Sequence, residues 1–104
     1  MAVYKVSLTE PAGNDLRDIA KYISSQLSAP ATALNMIQAI KKAIAKLETM
    51  ALAYPLVRDD RLAALGYRFL PVKNYMVFYI ADKKERAVDV DRILYGRRDW
   101  RSLL

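Results

Sequence analysis

The chain has 104 residues, 54% of them hydrophobic, with seventeen Lys and Arg against eleven Asp and Glu for a net charge of +6. That hydrophobic share excludes a disordered chain, and the length supports one core but not two, so residues 1–104 are read as a single domain. Cys and His are absent, which removes thiolate nucleophiles, disulfides, zinc held by Cys or His, and imidazole acid–base catalysis.

In chain order, Tyr4, Val6 and Leu8 alternate with Val3, Lys5 and Ser7. A period of two in β-forming residues predicts a strand over 3–8 with one buried face. Thr9 offers an N-cap oxygen, Glu10 suits the positive end of a helix, and Pro11 fits a first turn. The helix that follows carries an apolar stripe of Leu16, Ile19, Ala20, Ile23 and Leu27, with Arg17, Asp18 and Lys21 off it. Ser28-Ala29-Pro30 breaks that pattern. A second helix is predicted over 31–49, its stripe formed by Ala33, Met36, Ile37, Ile40, Ile44 and Leu47. Two amphipathic helices joined by a short break imply a hairpin, and neither stripe can be buried without a sheet beneath it.

Residues 50–65 are less regular, with Tyr54-Pro55 barring a helix, a charged loop at Arg58-Asp59-Asp60-Arg61, and a short turn over Leu62–Leu65 closed by Gly66. Three strand runs follow: Tyr67–Val72, Tyr75–Ala81 and Ala87–Tyr95, separated by Lys73-Asn74 and by Asp82–Arg86. Short connections make these an antiparallel meander. The expected fold class is α+β in the order β-α-α-β-β-β, a helical hairpin on one face of a small, mostly antiparallel sheet.

The +6 charge favours an anionic partner such as nucleic acid, a ribosome, a DNA-bound enzyme or an acidic protein. The densest chemistry lies at the end of the chain, where residues 92–101 hold four arginines, Arg92, Arg97, Arg98 and Arg101, and two aromatics, Tyr95 and Trp100. Guanidinium forks suit phosphate or carboxylate, and aromatic rings stack on bases. With helices on one sheet face, some of this charge is expected on the other. Arg92 interrupts the apolar parity of Val88, Val90 and Leu94, so it is expected to be paired locally, for example with Asp99, to sit at a bulge, or to point into a site. Asp89 and Asp91 share the opposite parity and read as salt-bridge partners rather than metal ligands. Met1–Val6 lacks a signal-peptide pattern, and no run approaches the roughly 18 apolar residues of a membrane span. A cytoplasmic protein, with no metal or other cofactor and no membrane partner, is the expectation.

Tyr67-Arg68, Val72-Lys73-Asn74-Tyr75-Met76-Val77-Phe78-Tyr79 and Arg92-Ile93-Leu94-Tyr95-Gly96-Arg97-Arg98-Asp99 resemble the C-terminal half of toxins of the RelE/ParE superfamily, and the element order matches as well. The resemblance implies the toxin of a type II toxin–antitoxin pair, a class tied to plasmid stabilization. Fold alone does not divide its two activities. ParE-type members inhibit DNA gyrase; RelE-type members cut messenger RNA in the ribosome. On the ParE-like reading, which the Ile93–Asp99 run and the long hairpin favour, Arg92, Arg97, Arg98, Trp100 and Arg101 form the target-binding patch. On the RelE-like reading, Arg68 and Arg98 bind the scissile phosphate, and Lys73 or Tyr95 moves the proton. Met76 stands where RelE-type toxins carry a strand arginine, and the chain ends Ser102-Leu103-Leu104 without their terminal tyrosine. A non-toxic interaction module is the third reading. The implied partner is an anionic antitoxin, disordered until bound, that masks the basic face or the hairpin groove or adds to a sheet edge.

Overall fold

The computed structural model describes residues 3–104, so the reading of Met1 and Ala2 as free of a targeting signal lies outside the described residues. Strand β1 (Lys5–Leu8) leads into helix α1 (Glu10–Lys21), a π-helical turn (Tyr22–Gln26) and helix α2 (Pro30–Ala45), with a short α3 (Leu47–Met50) behind it. After a loop and the short α4 (Asp60–Ala64) come β2 (Tyr67–Val72), β3 (Tyr75–Asp82) and β4 (Ala87–Tyr95), then a 3-10 turn over Trp100–Ser102. The sheet has four strands in the order β1-β4-β3-β2. The last three form the expected meander, and β1 lies parallel to β4, with Lys5 opposite Ala87 and Leu8 opposite Val90. The fold is α+β.

Thr9 makes the corner between β1 and α1. Its amide continues the ladder to the Val90 carbonyl at 3.0 Å, its hydroxyl donates to the Asp91 carbonyl at 3.0 Å, and its side-chain oxygen accepts from the Ala12 amide at 3.3 Å. One residue therefore ends the strand and caps the helix. The predicted α1 stripe is buried at Leu16, Ile19 and Ile23, but Leu27 is 56% exposed. The π turn is the reason: one extra residue per turn rotates the register, so the amide of Leu27 reaches back to the carbonyl of Tyr22. Ser28, at φ 49°, takes the left-handed conformation that ends the segment, and Pro30 opens α2 at its first turn. The predicted second helix is divided at Lys46 into α2 and α3, its stripe buried at Ala33, Ile40, Ile44 and Leu47.

The sheet is covered on both faces. Val72, Val77, Tyr79, Val88, Val90 and Ile93 meet the helical hairpin, whereas Phe78 and Leu94 face the other way into a second cluster with Val57, Leu62 and Trp100. Asp59 caps α4 through the Leu62 amide at 3.0 Å, so the turn predicted at Leu62–Leu65 begins two residues earlier and places Leu62 against the sheet. The Trp100 ring lies 5.3 Å from that of Phe78. Part of the face expected to collect positive charge is thus covered by apolar side chains from α4 and the C-terminal turn.

Candidate functional site

The registers of β3 and β4 slip between Phe78, which opposes Arg92, and Tyr79, which opposes Val90, leaving Asp91 as the bulged residue. Two contacts hold the bulge: Thr9 at the Asp91 carbonyl, and the Tyr67 hydroxyl, which donates to Asp91 Oδ2 at 2.6 Å. The slip changes parity, so Val88 and Val90 share the helix-side core with Ile93 rather than with Leu94.

Arg92 is therefore released from the helix-side core and is not paired with Asp99. Its Nε donates to Asp15 Oδ2 at 2.7 Å and its Nη2 to Asp15 Oδ1 at 2.9 Å, a bidentate pair across 77 residues of sequence. The Ile93 amide donates to the same Asp15 carboxylate at 2.9 Å. Because β1 ends opposite Val90, the edge of β4 beyond it would otherwise lack partners; the Thr9 hydroxyl supplies a donor for the Asp91 carbonyl and Asp15 an acceptor for the Ile93 amide, in place of a longer β1. A charge-assisted fork of this kind favours the charged guanidinium, so the hydrogen bond to Asp15 raises the Arg92 pKa against the opposing effect of burial. Arg92 Nη1 also reaches the Leu103 carbonyl at 3.4 Å, tying the C-terminal turn to β4.

The remaining arginines of the terminal run gather at the end of β4. Arg97, Arg98 and Arg101 are exposed. The Arg101 guanidinium lies 4.4 Å from the Trp100 ring centroid, donates to the Arg58 carbonyl at 3.2 Å and pairs with Asp59 at 3.6 Å. Trp100 is half-buried between that guanidinium and Phe78, so it supports the patch from beneath. Arg98 borders an open groove of about 640 Å³ between the hairpin and the ends of β3 and β4. Tyr22, Leu27 and Tyr95, all exposed, line the same groove with Asp18 and the half-buried Tyr75. The Tyr75 and Tyr95 rings meet edge to face at 5.9 Å. Burial, with Tyr22 and Tyr95 nearby, raises the pKa of Tyr75.

The other sequence candidates divide by position. Lys73 occupies the β2–β3 turn with φ 54°, and the Gly96 amide closes on the neighbouring Asn74 carbonyl at 2.8 Å, so Lys73, Tyr95 and Arg98 share one end of the sheet. Arg68 is not brought to them. It lies four residues before Val72 on β2, opposite Tyr79, with Nη1 donating to the Tyr54 carbonyl at 2.6 Å. Asp89 and Asp91 form no salt bridges; the ion pairs among the described residues are Asp15–Arg92 and Asp59–Arg101. No group of three His, Cys, Asp or Glu among the described residues could hold a metal ion.

Two phenols are held protonated. Burial first, then the hydrogen bond to Asp91, pushes Tyr67 up to about 12; burial likewise pushes Tyr79 to about 12, its hydroxyl donating to the Ala51 carbonyl at 2.7 Å while Arg68 opposes the shift. A pKa raised on folding gives stability that is whole below the free phenol's pKa near 10 and lost as pH rises toward the folded value. Stability is accordingly expected to hold up to pH 10 and fall between pH 10 and 12. Spectrophotometric titration of the phenolates should show two tyrosines ionising late, and Tyr67→Phe should remove one of them.

Asp15 and Thr9 are the positioning residues that residue-by-residue reading missed. Thr9 was legible as a cap, but nothing local showed that its hydroxyl also fixes a bulge 82 residues away. Asp15 lies directly before the apolar stripe at Leu16, and its 9% exposure is the signal that the stripe alone could not supply.

Comparison with known proteins bears on the fold and the family. The profile of the family described as "ParE toxin of type II toxin-antitoxin system, parDE" matches residues 6–100. No curated protein matches the sequence significantly. Among solved structures, the chain is similar to one from the chromosomal ParDE toxin–antitoxin system of P. aeruginosa. They share 18% identity at a TM-score of 0.74, covering 89% of this chain and 96% of that one. It is also similar to one from the RelBE2 toxin–antitoxin complex of Mycobacterium tuberculosis, at 18% identity and a TM-score of 0.64, covering 90% and 99%. At such identities the two structures speak for the fold, and the profile, spanning β1 to the C-terminal turn, speaks for the family. The chain belongs to the ParE toxin family within the RelE/ParE superfamily, the toxin component of a type II toxin–antitoxin system.

Proposed function

We propose that this toxin acts in the cytoplasm as a ParE-like inhibitor of DNA gyrase, without catalysing a reaction, and that a cognate antitoxin neutralises it. The observation that carries this reading is the separation of the two arginines that RNA cleavage would need together. Arg68 is engaged with Tyr54 on β2, while Arg98 stands free at the far end of β4. Cleavage through a 2′-hydroxyl needs charge stabilisation and proton transfer at one phosphate. Lys73 and Tyr95 lie near Arg98, yet neither side chain hydrogen-bonds to a group that would accept or relay a proton among the described residues. Arg97, Arg98 and Arg101 instead suit a broad contact with an anionic surface, with Trp100 beneath them and Arg92 as the strut that holds the C-terminal turn.

The antitoxin is an anionic segment that orders on binding, one part of it covering the groove where Tyr22, Leu27 and Tyr95 are exposed and Arg98 offers a charge at the rim. A gyrase supercoiling assay tests the whole reading. Inhibition with trapped cleaved DNA, reversed by the antitoxin, is the expected result. Growth arrest in cells with no effect on gyrase would reject it in favour of ribosome-dependent cleavage, and absence of growth arrest would mark an interaction module.

A further inference from the structure

The charged loop before α4 holds two aspartates side by side, and the fold uses them differently. Asp60 is exposed in the first turn of α4. Asp59 turns inward: Oδ1 accepts the Leu62 amide at 3.0 Å, and Oδ2 lies 3.6 Å from Arg101 Nε. Its neighbour Arg58 adds a backbone carbonyl, which accepts from Arg101 Nη2 at 3.2 Å. The same guanidinium lies 4.4 Å from the Trp100 ring centroid, and Trp100 rests on the fully buried Phe78.

Arg101 is thus held by a carboxylate, a carbonyl and a ring, yet its side chain is still 53% exposed. Nη1 and the second hydrogen of Nη2 remain to meet a target. Arg97 and Arg98 are exposed as well, but their side chains make no ion pair among the described residues. An arginine that moves freely loses rotamer freedom when it engages a partner, and one already fixed loses less. Among the exposed arginines of this corner, Arg101 is the one whose direction the fold sets.

We propose that Asp59 is a positioning residue of the target surface, fixing the Arg101 guanidinium over Trp100 in the orientation that meets the target; this rests on the reading of the arginine corner as the gyrase-binding surface. Charge alone argues for the opposite sign. Asp59 subtracts from the net +6 of the chain, so if it acted only through the field, neutralising it would strengthen attraction to an anionic partner. Positioning demands that the same change weaken binding. Asp60 provides the comparison, since it carries the same charge one residue away and makes no ion pair with Arg101.

The test compares Asp59→Asn, Asp60→Asn, Arg101→Lys and the double variant Asp59→Asn with Arg101→Lys, each as full-length toxin in a gyrase supercoiling assay. Asparagine keeps an oxygen for the Leu62 amide and is a good N-cap, so α4 is expected to remain. The toxin concentration for half-inhibition should rise about fivefold in Asp59→Asn, the scale of ordering one long side chain. In Asp60→Asn it should stay level or fall. Lysine keeps the charge but lacks the fork, so Arg101→Lys should weaken inhibition similarly, and adding Asp59→Asn to it should change little further. Single effects that multiply in the double variant would show that Asp59 does not act through Arg101 and would overturn the proposal. Asp59→Asn inhibiting as well as the parent, or better, would also overturn it while leaving the gyrase reading intact. A parent toxin that arrests growth without inhibiting gyrase removes that reading; growth arrest then becomes the readout, where the same order of variants supports positioning and an unchanged Asp59→Asn overturns it. A measurement on the unmodified toxin decides even if a variant does not fold. In heteronuclear NMR the Nε hydrogen of Arg101 should exchange with water roughly tenfold more slowly than those of Arg97 and Arg98. Equal exchange at the three would overturn the proposal whatever the variants do.

Discussion

Replacing Asp15 with Ala is expected to destabilise the toxin by about 3 kcal/mol, on the order of 15 °C in melting temperature for a domain of this size. The carboxylate holds three donors at once: Nε and Nη2 of Arg92 and the Ile93 amide. Both partners are mostly shielded, with side-chain exposures of 11% for Asp15 and 22% for Arg92, so removing one leaves a charge and a buried amide without a partner. The loss should exceed that in Asp15→Asn, which keeps an acceptor for the Ile93 amide. It should also exceed that in the double variant Asp15→Leu with Arg92→Met, which removes both charges together. Thermal unfolding of the four proteins checks the order. If Asp15→Ala melts within a few degrees of the parent, the clamp is not what fixes α1 to β4. Because Arg92 orients the Leu103 carbonyl, a second readout is available: Trp100 fluorescence should shift to the red in Asp15→Ala as the C-terminal turn loosens over Phe78.

The second large effect is functional. Changing Arg97, Arg98 and Arg101 to Glu takes the net charge from +6 to zero, each substitution contributing −2. The fold should survive, since all three side chains are exposed and Arg101 alone makes an ion pair, at 3.6 Å. Target association is expected to slow by on the order of 100-fold, because steering of a basic surface toward an anionic partner accounts for effects of that size. Growth arrest should disappear while the circular dichroism spectrum and melting curve stay close to the parent's. Full toxicity in a folded triple variant would exclude this corner as the target surface. On the gyrase reading, loss of toxicity must track loss of gyrase inhibition. If supercoiling remains inhibited when growth recovers, the arginines serve a different target.

Much of the architecture was legible in the sequence because it rests on local rules. The period of two in residues 3–8, the helical stripes on either side of Ser28-Ala29-Pro30, the Thr9 cap and the short connections of the last three strands each reflect a preference that a few neighbouring residues can express. Those preferences were sufficient for the α+β order, and the resemblance carried by Tyr67-Arg68, Val72–Tyr79 and Arg92–Asp99 pointed to the family that the profile shows. Tertiary structure decided what depends on residues far apart in the chain. Asp91 becomes a bulge because Thr9 and Tyr67 hold it from two other elements, and the bulge moves Ile93 into the helix-side core. Arg92 finds Asp15 rather than Asp99 because α1 runs past the edge that β1 vacates. Leu27, apolar and correctly spaced, is exposed because a π turn changes the register of its helix. Arg68 and Arg98 carry the same charge in sequence, yet only the fold places one against Tyr54 and the other at the mouth of a groove. Periodicity and composition report what a residue prefers; which donor meets which acceptor depends on strand register and helix placement, and these are fixed only when the whole sheet is assembled.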